Sequence, residues 1–334
     1  MQYVKYEKLN IRNIPTVSIG MPVYNGEMWI REALDSLLRQ TFTDFELIIS
    51  NNASNDSTEQ ICKEYADKDK RIKYFSQIQN QGALFNFNFV LQQAISKYFM
   101  WAACDDTWED TFIYKCIEIL DNNDEYGLVF TNYDVISRRM GFVFSKYVFP
   151  KFNSFLSGDL FSSIGSYILL DDGCHKANFI YGIWRIDLAR NVTECFAQTP
   201  EELVYSGCDI AMLTYTLSKT KLYQLPSKLF HKKYRTFVPG TIPALFWSLI
   251  NDCLKNPVSI FNYKEKLHRV QKHTSLLEYA FSKAEITNTD YEKILFLKKI
   301  LSIVPLASSF PINSLIVGLL MRWWKLFKYL IPLG

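Results

Sequence analysis

Histidine and cysteine are scarce in this chain, and glycine is thinly spread. Among 334 residues there are four histidines, seven cysteines and 13 glycines. The cysteines are scattered, with no C-x-x-C pair and no zinc-type spacing, which argues against a zinc site or a disulfide framework. Reduced thiols in a cytosolic protein are the expectation. The opening "MQYVKYEKLNIRNIP" lacks an apolar run of signal-peptide type, so the bulk of the chain is expected not to be exported. A surplus of one charge is also missing: the net +3 says little about partners, and no nucleic-acid partner is expected. There is no internal repeat and no low-complexity tract. "DDGCHK", with Asp171, Asp172, Cys174 and His175, mixes metal-ligand types without a fixed geometry and reads as a polar loop. His268 and His273 fall i, i+5 on a polar helix, as solvated residues do. Asn191 in "NVT" is a glycosylation sequon in form only.

What is present is apolar and aromatic. At 49% hydrophobic and 16% aromatic residues the chain can bury a large core. The charge is unevenly placed. Residues 255–334 carry 12 Lys/Arg against five Asp/Glu, and the remainder is weakly acidic, so a surface contact is expected of the C-terminal part.

Strand and helix signals alternate through the first 131 residues. Thr16–Met21 is β-rich and should stop at Pro22, which cannot donate to a ladder. Ile30, Ala33, Leu34, Leu37 and Leu38 form the apolar stripe of a helix. Phe45–Ser50 reads as a strand, and Asn51–Thr58 as a polar turn capping a helix through Tyr65. Strands follow at Ile72–Phe75, Tyr98–Ala102 and Leu128–Thr131, with helices at Ala83–Ser96 and Thr111–Leu120. This pattern predicts an α/β fold, a Rossmann-like, mostly parallel sheet with helices on both faces. Residues 140–200, dense in Phe and Tyr, predict irregular loops and short strands, and Glu201–Thr220 predicts a helix. Two regions are expected: an α/β domain over 1–240 and a helical, basic-aromatic appendage over 241–334.

In such sheets ligands bind at the carboxyl ends of the strands. Three polar clusters stand there: "PVYNGE", "NNASND" and "CDDT". Asp105 and Asp106 could bind a divalent ion, because Mg²⁺ takes one or two protein carboxylates and fills its shell with water and phosphate. Equally they could cap the helix that follows. Tyr24, beside Pro22, could lie against a flat base, or merely fill a turn. Asn52 could hydrogen-bond a base edge, or belong to an ordinary N-cap turn.

Taken together, "VSIGMPVYNGEMWIREALDSLLRQTFTDFELIISNNASND" and "NQGALFNFNFVLQQAISKYFMWAACDDTW" resemble the opening blocks of family 2 glycosyltransferases, inverting enzymes of the A-type glycosyltransferase fold. The resemblance runs from about Val17 to Arg235. It implies a nucleotide-sugar donor, Mg²⁺ or Mn²⁺, and transfer to an acceptor hydroxyl with inversion. It also implies that Pro22, Tyr24 and Asn52 contact base and ribose, that Asp105 faces the ribose or donor sugar, and that Asp106, with Asp105, holds the metal. Two departures stand out. Asn52 occupies a position usually held by Asp, and Ala103 replaces the first Asp of the D-x-D element. The general base implied is Asp209 in "VYSGCDIAML", with Glu201 and Glu202 as weaker alternatives. "FIYGIWRID" resembles the acceptor loop, with Gly182 and Arg185; His231 and Arg235 in "FHKKYR" stand where relatives place basic residues near the diphosphate.

Ile300–Met321 carries no charge but is interrupted by Pro305 and Pro311, which a simple spanning helix does not tolerate in lipid. In "RWWKLFKYLI", Arg322, Lys325 and Lys328 occupy one helical arc, and Trp323, Leu326, Phe327, Leu330 and Ile331 the other. That is the pattern of a helix lying in a headgroup layer. The expectation is a cytoplasmic enzyme, peripheral on the inner membrane face through residues 322–331, acting on a glycan or lipid-linked acceptor. The alternatives are a non-catalytic nucleotide- or glycan-binding relative, and a sugar nucleotidyltransferase. The latter usually carries a glycine-rich, basic loop after its first strand, and "PVYNGEMW" has none.

Overall fold

A computed structural model describes residues 14–139, 142–145, 167, 176–197 and 208–234. Arg235, Glu201, Glu202, the division expected at residue 240 and the membrane-facing pattern at 322–331 lie outside them. The chain divides into two compact units: one of Met1–Pro150, Ile180–Thr193 and Leu222–Val238, the other of Lys151–Phe179, Glu194–Lys221 and Pro239–Gly334.

The first unit begins with the alternation the sequence predicts: β1 (Val17–Val23), α1 (Ile30–Leu38), β2 (Phe45–Asn51), α2 (Thr58–Lys68), β3 (Ile72–Ser76), α3 (Ala83–Gln92), β4 (Tyr98–Trp101), β5 (Thr107–Trp108) and α4 (Phe112–Asn122). Then come β6 (Tyr126–Arg139), β7 (Phe142–Ser145), a 3-10 turn (Lys176–Tyr181), β8 (Ile183–Arg185), α5 (Ile186–Ala197), α6 (Cys208–Lys219) and β9 (Lys221–Tyr234). Every residue of β1, β2 and β4 is buried, as befits parallel strands covered on both faces. Ile30, Ala33, Leu34 and Leu37 bury the predicted stripe of α1.

The sheet runs β3-β2-β1-β4-β8-β6-β9-β5, with β7 beside β6. β3, β2, β1 and β4 are parallel, while β8 is antiparallel to both β4 and β6. The order reverses at β1, which has β2 on one side and β4 on the other. The crevice at such a reversal, beyond the carboxyl ends of β1 and β4, is where α/β sheets bind ligands.

Three boundaries differ from expectation. β1 does not stop before Pro22, which pairs with Ser50 inside the strand. The Val23 carbonyl accepts from Asn52 N–H, so Val23 addresses β2 and Pro22 addresses the opposite edge. There the β1–β4 register ends at Gly20–Trp101, so the missing N–H has no partner to disappoint. Helix α3 ends at Gln92, not Ser96. The N–H groups of Ile95 and Ser96 donate instead to Ser18 Oγ, and Ile95 N–H also to Glu46 Oε1. β6 extends far beyond Thr131.

Candidate active site

The segment "ACDDTW" leaves β4 and turns back into β5. Ala102 N–H donates to the Gly20 carbonyl at 2.8 Å, tying the exit to β1. Asp106 N–H closes a turn on the Ala103 carbonyl at 3.3 Å. Thr107 and Trp108 then pair with His231 and Phe230 of β9. Asp105 and Asp106 therefore do not cap the following helix, whose N-cap is Thr111.

The two carboxylates are not equivalent. Asp105 is partly exposed; Asp106 is fully buried. Lys232 Nζ donates to Asp106 Oδ2 at 2.9 Å, and Lys233 N–H donates to Oδ1 at 3.0 Å. Burial pushes the Asp106 carboxyl up to about 6, the Lys232 ammonium opposes that rise, and the neighbouring Asp105 adds to it. Burial also works against the Lys232 ammonium, but Tyr181, Asp106 and Asp105 outweigh it and hold the lysine above its usual range. Lys232 Nζ lies 4.8 Å from the centre of the Tyr181 ring. Lys233 points to the other face of β9, where it pairs with Glu32 of α1.

Asp106, expected to hold the metal with Asp105, has both oxygens facing donors, one of them an ammonium. Asp105 is partly exposed, and a carboxylate at a strand end, with phosphate oxygens and water, suits Mg²⁺. Among the described residues no three His, Cys, Asp or Glu side chains converge as a metal cluster.

The other predicted residues divide. Tyr24 follows β1 and is 39% exposed at the carboxyl end, so its ring is available to a ligand. Pro22 is inside β1. Asn52 is buried, and its carboxamide is committed to a neighbouring loop: Nδ2 donates to Asn80 Oδ1 at 2.9 Å and to the Gly82 carbonyl at 3.1 Å, while Oδ1 accepts from Gln81 N–H at 3.0 Å. The rest of "NNASND" zips the first two strand–helix loops together. Asn25 N–H donates to Ser54 Oγ, Asn55 N–H to Asn25 Oδ1, and Glu27 N–H to Asp56 Oδ2.

Arg185 does not reach the cleft. It pairs with Tyr98, at the opposite end of β4 from Asp105. Its guanidinium donates to the carbonyls of Tyr126, Leu120 and Asn123, closing the carboxyl end of α4. Gly182 is required by packing. A Cβ there would lie 2.5 Å from the Val129 carbonyl oxygen and 2.8 Å from Leu128. His231 sits beside the carboxylate turn, but its Nε2 is 2.8 Å from Glu109 Oε1. Asp209 lies in the first turn of α6, in the second unit, where the helix dipole favours a carboxylate.

Sequence reasoning missed Lys232. It read "FHKKYR" for His231 and Arg235, because a lysine is by default a surface residue. The available signal was two adjacent lysines that follow the buried apolar pair Leu229 and Phe230 after His231.

Comparisons with known proteins bear on the fold and the family likeness. Residues 18–169, less than half the chain, match the family model described as glycosyl transferase family 2. An uncharacterized glycosyltransferase of Rickettsia typhi is 38% identical over 126 residues, covering 37% of this chain and 38% of the relative. The glycosyltransferase GlyA of Streptococcus pneumoniae is 33% identical over 97 residues, covering 29% of this chain and 14% of the relative. The matches thus span well under half the length of these relatives. Among solved structures, residues 1–349 of S. aureus TarS in complex with UDP-GlcNAc superpose with a TM-score of 0.52 at 20% identity, covering 80% of this chain and 73% of that one. That likeness establishes a shared fold, an α/β sheet flanked by helices. No helix of the described residues is long and apolar enough to cross a membrane.

Proposed function

We propose that the chain is a metal-dependent, inverting glycosyltransferase that moves a sugar from a nucleotide-sugar donor to an acceptor hydroxyl. The observation that carries this reading is the placement of Tyr24 and Asp105 at the carboxyl ends of adjacent strands, at the reversal of strand order. Similarity to glycosyltransferases over residues 18–169 supports it, and a TarS structure holding UDP-GlcNAc makes a uridine nucleotide sugar the first donor to try.

In this reading Tyr24 packs against the base and Asp105 faces the diphosphate with Mg²⁺ or Mn²⁺. Asp105 would hold the cation there, and the ion would supply charge neutralisation for the departing nucleoside diphosphate. Asp209 is assigned as the base. It takes the proton from the acceptor hydroxyl as that oxygen bonds to the anomeric carbon from the face opposite the leaving group. Arg235 remains a proposed diphosphate contact. Asn52 and His231, held by their neighbours, are assigned to shaping the cleft. The amphipathic pattern at 322–331 supports peripheral contact with a membrane on its cytoplasmic face, and hence a lipid-linked glycan as acceptor in surface-polysaccharide synthesis.

The test is turnover of nucleotide sugars by the wild type, Asp105→Asn and Asp209→Asn. We expect Asp209→Asn to lower kcat by about 10²- to 10⁴-fold with donor binding retained. Asp105→Asn should weaken donor and metal binding together. Wild-type rates in both variants contradict the assignment.

A further inference from the structure

The carboxylate turn is gripped from one side by a single strand, β9. Phe230 and His231 hold it through the two-residue ladder with β5, Lys233 through its N–H on Asp106 Oδ1, and Lys232 through its ammonium on Asp106 Oδ2. Asp105 and Asp106 are adjacent in a tight turn closed by the Ala103 carbonyl. Fixing one therefore fixes the direction of the other. Lys232 is in turn confined: its side chain is 15% exposed, and its Nζ rests over the Tyr181 ring.

We propose that Lys232 is a positioning residue for the metal–diphosphate site: by anchoring buried Asp106 it orients Asp105 toward the crevice, without itself touching donor or metal. The inference rests on the proposed function, since it concerns how that same site is held. Partners that orient a metal ligand through a second group contribute heavily to metal affinity. Without the Lys232 ammonium, Asp106 Oδ2 loses the contact that holds it inward. The turn is then free to shift, and Asp105 moves with it. A lysine that served stability alone would leave the metal affinity of folded protein where it was.

The experiment is Mn²⁺ binding in the presence of UDP, read by electron paramagnetic resonance on the full chain, alongside the Mn²⁺ dependence of turnover. Wild type must first bind Mn²⁺ with UDP; if it does not, the proposed function itself fails, which a normal wild type with unaffected variants would not imply. Given wild-type binding, Lys232→Met should raise the Mn²⁺ dissociation constant by about 10- to 100-fold. Lys232→Arg, which keeps the charge, should recover most of that loss. The double variant Asp106→Asn with Lys232→Met buries no unpaired charge, so it keeps the test alive if Lys232→Met does not fold. It should bind Mn²⁺ no better than Asp106→Asn alone. Folded Lys232→Met, or the folded double variant, binding Mn²⁺ and UDP as tightly as wild type overturns the proposal.

Discussion

Replacing Asn52 by Asp restores the residue usual at this position in the family that the sequence resembles, and the structure says it should harm the protein. Nδ2 of Asn52 faces two acceptors, Asn80 Oδ1 at 2.9 Å and the Gly82 carbonyl at 3.1 Å, in a site where Asn52 is 2% exposed. Asp puts a charged oxygen where that donor stood. Two hydrogen bonds are lost, each contributing about 0.5–1.5 kcal/mol. A carboxylate is left buried against two oxygens, which adds a further penalty of about 1–3 kcal/mol. Part of this is relieved by the Gln81 N–H, which still has an oxygen to reach. The net expectation is a loss of about 2–4 kcal/mol, against a typical domain stability of about 5–15 kcal/mol. Urea unfolding at pH 7 measures it. The sign of the pH dependence is a second check. A buried, unpaired carboxyl binds protons more tightly folded than unfolded, so the deficit of Asn52→Asp should shrink as pH falls from 7 to 5. A variant as stable as wild type at pH 7 refutes the account of Asn52 as a loop anchor.

Asp56 offers the opposite sign. Burial raises its carboxyl, but hydrogen bonds from Thr58 Oγ1 and the N–H groups of Glu27 and Thr58 outweigh that and leave it lowered. Its contribution is therefore present above the unfolded value of 3.8 and lost as pH falls through the folded one. Asp56→Asn should flatten the stability profile of wild type between about pH 5 and 3, as thermal melts across that range would show. Gly182→Ala forces a methyl to within 2.5 Å of the Val129 carbonyl oxygen, a backbone atom that cannot step aside. We expect a loss of at least about 1–3 kcal/mol in chemical denaturation, and an unperturbed melt would show that β6 and β8 are not so tightly apposed.

The parallel half of the sheet was legible because its signals are local. The stripe of α1 and the apolar runs of β1, β2 and β4 depend on neighbours within a few residues. Strand β9 was not, because "KLYQLPSKLFHKKY" mixes Pro, Lys and apolar residues and gains its register by pairing with β5 and β6, both distant in sequence. The site shows the same division. Asp105 and Tyr24 could be placed from their position at strand ends. Sequence does not show which of two adjacent carboxylates turns inward; that Asp106 does depends on Lys232, 126 residues away. Arg185 read as part of an acceptor loop. Backbone carbonyls at the end of α4 and the start of β6 engage it, and nothing local announces them.

The most direct test of the central claim is calorimetric titration of the wild-type chain with UDP and other nucleoside diphosphates, with and without Mn²⁺. If Asp105 is to hold a cation together with the donor diphosphate, at least one nucleotide should bind markedly more tightly when Mn²⁺ is present, and Asp105→Asn should remove the difference. Equal affinity with and without the ion, across every nucleotide tried, would contradict it.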